Sequence, residues 1–364
     1  MTSISFIGLG LIGGSIAKAI KKYHPEIKLY GHASHASTLQ DAFNDEVISN
    51  RDFLPLEELA KSDIIFLCAP VGNNIEYLCK LAPIVPKTTL ITDIGSVKGG
   101  IESKAKMLGL SSQFIGGHPM TGSEKDGYSN SLAMLLENAY YILTENDEID
   151  PKRFEEFAGF ISSLGAITLK ASPKLHDHAT AAISHLPHII AASLVKYVHD
   201  CDTDDGFMRT IAAGGFKDIT RIASSSPVMW QNICMDNKDE LLATLSSYED
   251  TLRFAKKLIN DGDPDKLNSF FQESKDYRDS MPIPKGSILP QTYDFFLDLE
   301  DEAGQIASVA TTLALANISI KNIGIIHNRE FEDGVLHLEL YDNNSRTEAT
   351  ELLEKRGYRV HHRS

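Results

Sequence analysis

Residues 4–20 read Ile4-Ser5-Phe6-Ile7-Gly8-Leu9-Gly10-Leu11-Ile12-Gly13-Gly14-Ser15-Ile16-Ala17-Lys18-Ala19-Ile20. A short β-prone apolar run meets a glycine loop, and a helix-forming segment follows. Gly8, Gly10 and Gly13 make a GxGxxG pattern, which is weak alone because glycines are common in turns. Its context makes it specific. The first glycine permits a tight turn, the second lets the backbone approach a pyrophosphate, and the third lets helix and strand pack closely. The helix start adds free N–H groups and the positive end of a dipole for phosphates. An ordinary strand-to-helix turn is the competing reading, and the position directly after the first strand favours a dinucleotide site.

Further apolar runs lie at 28–30, 64–69, 89–92, 114–117 and 140–143, with helical stretches at 38–45, 56–61 and 73–82 between the early ones. The run Ile64-Ile65-Phe66-Leu67-Cys68-Ala69 does not alternate, as expected for a strand covered on both faces. Strands alternating with helices predict an α/β fold over residues 1–171, a Rossmann-type doubly wound parallel sheet. Ser172-Pro173 is a helix start, and residues 172–280 read as all-helical. Pro282, Pro284, Gly286 and Pro290 mark 281–290 as a linker. Residues 291–364 follow a ferredoxin-like βαββαβ order.

The chain has 364 residues, 42% of them hydrophobic and 23% charged, enough for two or three packed domains and unlike a disordered chain. With 35 Lys+Arg against 50 Asp+Glu the net charge is -15, which disfavours nucleic acid and anionic membrane as partners. Cys68, Cys79, Cys201 and Cys234 have no CxxC spacing and read as free thiols in a reducing compartment. The first residues lack an export-type leader, and no apolar run approaches the roughly 20 residues that cross a bilayer. A cytoplasmic location is expected.

One expected piece of the cofactor site is missing. A carboxylate about 20 residues past the last glycine ordinarily binds the adenosine ribose. Tyr30-Gly31-His32-Ala33-Ser34-His35 holds no Asp or Glu, and no Arg for a 2′-phosphate. From these residues NAD and NADP both stay open.

Three segments set polar residues at turns. Thr92-Asp93-Ile94-Gly95-Ser96-Val97-Lys98-Gly99 follows a buried strand, where Ser96 is either a helix cap or a reacting group. Gly116-Gly117-His118-Pro119 puts His118 after another strand, where an imidazole can take a proton near neutral pH. In the helical part, His176-Asp177-His178 is followed by Ser184-His185-Leu186-Pro187-His188. His185 and His188 share a helix face, but no carboxylate or thiolate set accompanies them, so no metal is expected. Pro187 should kink the helix and free the Ile183 carbonyl. Lys217 and Arg221 lie four apart and are candidate anion donors, unless Arg221 pairs with Asp218 or Asp177.

Taken together, GLGLIGGS (8–15), TDIGSVKG (92–99), GGHPMTGSEKDG (116–127), LHDHATAAISHLPH (175–188) and AAGGFKDITRIASSSPVMW (212–230) resemble the prephenate dehydrogenase family, in order over about 280 residues. Asp301-Glu302-Ala303-Gly304 and Ala316-Asn317-Ile318-Ser319-Ile320 resemble a small-ligand-sensing ACT domain. The resemblance implies oxidative decarboxylation of prephenate to 4-hydroxyphenylpyruvate with reduction of a nicotinamide, in a homodimer interlocked through its helical part. It implies His118 as the base and Ser96 as the residue that orients it. It implies Arg221, His188, His185, Lys217, Trp230 and Glu124 around the substrate, with Asp218 bracing the pocket. Gly8, Leu9, Gly10, Leu11, Ile12, Gly13, Ser34 and Pro70 are the candidate cofactor-binding residues. NAD is preferred over NADP because no arginine replaces the missing acid. Inhibition by tyrosine through residues 291–364 is a further expectation. Arogenate or dual-specificity cyclohexadienyl dehydrogenase, and a non-catalytic sensor of nucleotide and amino acid, are the alternatives.

Overall fold

The computed structural model describes residues 1–122, 126–281, 293–299, 304–326 and 334–361. The chain divides into two compact units, Met1–Gly286 and Ser287–Ser364.

The first unit begins with β1 (Ser3–Ile7), α1 (Leu11–Tyr23), β2 (Lys28–His32), α2 (Ala36–Asn44), the single turn α3 (Leu56–Leu59), β3 (Ile64–Leu67), α4 (Val71–Leu81), β4 (Leu90–Asp93), α5 (Gly99–Met107), β5 (Phe114–Pro119), β6 (Tyr140–Thr144), α6 (Pro151–Ser163) and β7 (Ile167–Ala171). The sheet order is β2-β1-β3-β4-β5-β6-β7. The first five strands are parallel and doubly wound, as expected. β6 departs from the expectation: it runs antiparallel to β5, and β7, which the sequence pattern did not indicate, pairs parallel with β6. No long helix separates β5 from β6 among the described residues, so the chain returns without the crossover that a parallel pair needs.

The unbroken apolar strands serve two cores. Ile4, Phe6, Ile64 and Phe66 face one, with Phe6 stacked on Phe66 at 5.1 Å. Ile7, Ile65, Leu67 and Ile91 face the other, against Leu78 and Ile101. Successive side chains point to opposite faces, so burial on both sides removes any alternation.

The helical part holds α7 (Pro173–Thr180), a π-turn at Ala181–His185, α8 (Leu186–Cys201), α9 (Phe207–Ile211), α10 (Gly214–Thr220), a 3-10 turn at Arg221–Ser224, α11 (Pro227–Asp236), α12 (Lys238–Asp261) and α13 (Pro264–Ser280). Ser172 caps α7 by accepting from Leu175 N at 3.2 Å. Pro187 sits in the first turn of α8, directly after the π-turn, where its missing N–H is least disruptive. Instead of a break, Pro173–Cys201 forms one 29-residue helical stretch. By length and composition it passes the test for a bilayer-spanning helix, as the core helix of a folded protein also can.

The second unit contains β8 (Tyr293–Leu299), α14 (Gln305–Leu315), β9 (Ile320–Ile326), β10 (Gly334–Leu340), α15 (Asn343–Glu354) and β11 (Val360–His361). Its antiparallel sheet has the order β11-β8-β10-β9. Phe295, Leu297, Leu336 and Leu338 pack on Val309, Leu313, Ala349 and Leu353. Most of the expected linker, residues 282–290, lies outside the described residues.

Candidate active site

The glycine loop closes β1. Gly8 has φ +102°, and a Cβ there would fall 2.7 Å from the Cys68 carbonyl carbon, so turn and neighbour both require glycine. A Cβ on Gly13 would lie 2.6 Å from the Gly8 oxygen and 2.9 Å from Cys68 Cβ. Helix α1 therefore packs on the strands at backbone distance. Gly10 differs, since a Cβ there would meet nothing within 4 Å. It is the N-cap of α1, and no side chain caps that helix. The N–H groups of the first turn, from Leu11 and Ile12 onward, have no side-chain cap and are the donors a pyrophosphate would use.

The order β2-β1-β3 reverses the winding direction between β1 and β3. A ligand crevice opens at such a point, outside the carboxyl ends of the strands. Pro70 stands at that edge as the N-cap of α4. Asn74 holds the connection, with Oδ1 accepting from Ala69 N at 3.0 Å and Nδ2 donating to the Leu67 oxygen at 3.2 Å. At the end of β2, Asn50 binds both the N–H and the C=O of Gly31, at 2.8 and 2.9 Å. Ser34 Oγ and His35 Nδ1 are paired at 2.9 Å on the surface.

The polar residues converge at the ends of β4 and β5. Asp93 and Lys98 are fully buried and form a short ion pair. Lys98 Nζ also donates to the Gly117 oxygen at 2.7 Å, and Gly117 N donates to Asp93 Oδ1 at 3.3 Å. This clamp fixes the strand that carries His118. His118 Nδ1 lies 2.8 Å from His176 Nε2, and His176 Nδ1 lies 2.8 Å from Asp177 Oδ1. Asp177 also accepts from the backbone N–H of Lys98 and of Gly99, each at 2.7 Å. Its carboxylate is thereby taken up by His176 and the start of α5, rather than by Arg221 as one sequence alternative had it.

Ser96 is half-buried in the turn just before this anchor. It does not cap α5, whose N-cap is Lys98 with no side-chain bond, so the capping reading fails. Among the described residues its hydroxyl has no hydrogen-bond partner.

Asn237 joins the second half of the site. Its Nδ2 donates to the Asp177 backbone oxygen at 2.8 Å and lies 3.1 Å from His185 Nδ1. His185 meets Trp230 edge-on at 6.0 Å, and His188 stacks on the other side of the cluster against Trp230 at 3.6 Å. His185 Nε2 and Trp230 Nε1 are buried polar atoms with no partner among the described residues. Such atoms are costly unless a ligand or water satisfies them. Arg221 opens the 3-10 turn after α10, and its charge reaches His188.

His118, His185 and His188 are kept neutral. Burial pushes the His118 imidazole well below its ordinary range, and His176, Lys98 and His185 add to this. Burial lowers His185 to about 4, with His176 and His188 contributing. Burial also lowers His188, assisted by Arg221. Asp177 moves the other way in effect: burial opposes its ionisation, but His176 and the N–H groups of Lys98 and Gly99 hold it below the usual carboxylate range.

The structure thus gathers His118, His185, His188, Trp230 and Arg221 into one cluster beside the turn of Ser96. Lys217 and Asp218 are exposed on α10, and Glu124 lies outside the described residues. His178 leaves the cluster and pairs with Glu240 at 2.9 Å. Sequence reasoning assigned no role to Asp93, Lys98, His176 or Asn237, and offered Asp177 only as an alternative partner of Arg221. A lysine and an acid inside the apolar context of 89–101 were the signal for the first two; nothing in the spacing marks Asn237.

Residues 16–170 match the family model described as prephenate dehydrogenase, nucleotide-binding domain, and residues 172–273 match prephenate dehydrogenase, dimerization domain. Prephenate dehydrogenase of Bacillus subtilis (strain 168) is 36% identical over 356 residues, covering 97% of this chain and 96% of the relative. The crystal structure of prephenate dehydrogenase from A. aeolicus, in complex with hydroxyphenyl propionate and NAD+, superposes with TM-score 0.72 at 32% identity, covering 76% of this chain and 97% of that one. Synechocystis arogenate dehydrogenase superposes with TM-score 0.69 at 30% identity, covering 76% of this chain and 99% of that one. A match that runs through both the cofactor-binding and the helical segments, with a relative alike along nearly its whole length, makes this chain a member of the prephenate dehydrogenase family.

Proposed function

We propose that the chain oxidatively decarboxylates prephenate to 4-hydroxyphenylpyruvate, with His118 as the base. The enzyme is an NAD-dependent oxidoreductase, and bound NAD+ supplies the hydride acceptor. The carrying observation is that a neutral imidazole, His118, stands beside a cluster that also holds the Arg221 cation, at the mouth of a sheet whose glycine loop suits a pyrophosphate.

His118 takes the proton of the ring hydroxyl as positive charge grows on the carbinol carbon. Ser96 orients that hydroxyl. Arg221 holds a substrate carboxylate through its planar fork. His185 and Trp230 offer their unpartnered nitrogens to the polar end of the substrate, and His188, stacked on Trp230, shapes that end. Lys217 and Glu124 belong to the outer pocket in this reading. Once the ring carboxylate leaves as CO2, the aromatic product needs its phenolic proton back, and His118 returns it. The dianion and the cationic cofactor become a monoanion, CO2 and a neutral reduced cofactor, so no net proton is released.

Gly8, Leu9, Gly10, Leu11, Ile12, Gly13, Ser34 and Pro70 hold the cofactor. The division into 1–171, 172–280, a linker at 281–290 and 291–364 goes with this reading. A homodimer through the helical part is supported by Ile183, Ile211, Ile219, Val228, Phe254 and Phe271, each more than half exposed in the single chain. The βαββαβ order of the second unit supports an ACT domain there. Tyrosine is the inhibitor in this reading. Four free cysteines accord with a cytoplasmic setting.

The test is reduced-nicotinamide absorbance with prephenate or arogenate, each with NAD or NADP. Prephenate with NAD should give the highest kcat/KM. Equal or better turnover of arogenate would move the chain to the activity named for the Synechocystis neighbour. A chain ending near residue 285 should lose tyrosine inhibition, and full retained sensitivity would mean direct competition in the substrate pocket.

A further inference from the structure

We propose that His176 and Asp177 are positioning residues that hold His118 in the one neutral tautomer whose Nε2 is bare, and that they tie this alignment to the turn carrying Ser96. The inference rests on the reading of His118 as the base.

With a carboxylate at Asp177 and one N–H on each imidazole, the contacts place the protons. Asp177 is a carboxylate and only accepts, so the hydrogen of the 2.8 Å contact belongs to His176 Nδ1. A neutral His176 then presents a lone pair at Nε2. The 2.8 Å contact to His118 therefore requires a hydrogen on His118 Nδ1. A neutral imidazole carries one N–H, so Nε2 of His118 is left to accept. No described residue hydrogen-bonds that nitrogen.

The arrangement is fixed from several sides. His176 is 1% exposed and Asp177 6%, so water does not compete for the contacts. Lys98 and Gly99 N–H groups bind the two Asp177 oxygens at the start of α5, where the helix dipole favours a negative charge. The Ser96 turn ends in this anchor, so one carboxylate sets both His118 and the approach of Ser96. The groups facing His118 are His176, Lys98 and His185; those facing Asp177 are His176, His185, Glu102 and the backbone at 98–99.

During the reaction the substrate O–H bond breaks and a bond from hydrogen to His118 Nε2 forms. The imidazolium is stabilised by Asp177 through His176. The same proton returns to the phenolic oxygen, so the pair needs no exit path and no second acceptor.

The test uses the full-length protein labelled with ¹⁵N-histidine. His118 and His176, assigned through His118→Asn and His176→Asn, should each show Nδ1–H with a bare Nε2. A His118 ring protonated at Nε2 and bare at Nδ1 would overturn the proposal. In Asp177→Asn the amide oxygen can stay on His176 and Lys98 N, but the amide nitrogen then faces the Gly99 N–H and the negative charge that stabilises the imidazolium is lost, so kcat should fall by roughly 10²–10⁴-fold, the scale on which a serine protease responds when its triad carboxylate becomes an amide. KM for prephenate and Kd for NAD should stay within about threefold, because the pair touches neither. Unchanged kcat, or a loss confined to KM and Kd, would also overturn it. A wild-type protein that shows the expected tautomers but does not turn over prephenate would refute the substrate reading and leave the relay standing.

Discussion

The imidazoles of His118 and His176 meet at 2.8 Å between Nδ1 and Nε2, with their rings edge-on at 65°. One ring ends a strand of the α/β sheet, and the other lies on the first helix of the helical part. The contact joins the nucleotide-binding segment to the helical one, and the chemistry is expected at that joint.

Burial and nearby positive groups lower the His118 pKa, so the ring stays neutral into mild acid. The acid limb of kcat/KM, which reports the free enzyme's base, should therefore lie below 6.5, the ordinary histidine value. A limb above 6.5 would show that another group, or a differently placed histidine, takes the proton.

The three loop glycines should separate into two kinds. Gly8→Ala and Gly13→Ala force a Cβ into backbone and should cost about 1–3 kcal/mol of stability, read by denaturant unfolding. Gly10→Ala points into open space, so stability should hold while Kd for NAD rises. Normal NAD affinity in Gly10→Ala would move the pyrophosphate elsewhere.

Arg221→Ala should act on binding. Losing a charge-assisted pair costs about 1.5–3 kcal/mol, so KM for prephenate should rise roughly 10–100-fold with a smaller change in kcat. Arg221→Lys keeps the charge without the fork and should fall between. An unchanged KM in Arg221→Ala would remove Arg221 from the pocket.

Glu102 carries a pH-dependent cost. Burial raises it from 4.5 to about 7, with Asp93 and Asp177 adding to the effect of burial, while Thr144 and Lys98 oppose it. A carboxyl that is harder to ionise in the folded state lowers stability as pH rises from 4.5 through 7. Glu102→Gln should thus be more stable than wild type above pH 7 and equal to it below pH 4.5. Lower stability of the variant at pH 8 would contradict the assignment.

Much of this was legible in the residues. The glycine loop, the five parallel strands and the helix start at Ser172-Pro173 each depend on local chemistry: φ, apolar runs and capping. The β6 reversal was not legible, because the direction of a strand depends on its connection and not on its own side chains. Pro187 marked an irregular point in the helix, but the π-turn beside it carries no sequence signal of its own. His118 and Arg221 stood out by residue type and loop position. His176 and Asp177 were visible as polar neighbours, but their task depends on packing against residues 58 and 79 positions away in the chain. Asn237 carries no signal except its buried surroundings.

The central claim is that His118 deprotonates prephenate beside a bound nicotinamide. It is tested most directly by reduced-nicotinamide absorbance with prephenate and NAD, comparing wild type with His118→Asn. NAD affinity is measured alongside. The variant should bind NAD nearly as wild type and lose roughly 10²–10⁴-fold in turnover, the usual contribution of a positioned base. Turnover equal to wild type would contradict the account.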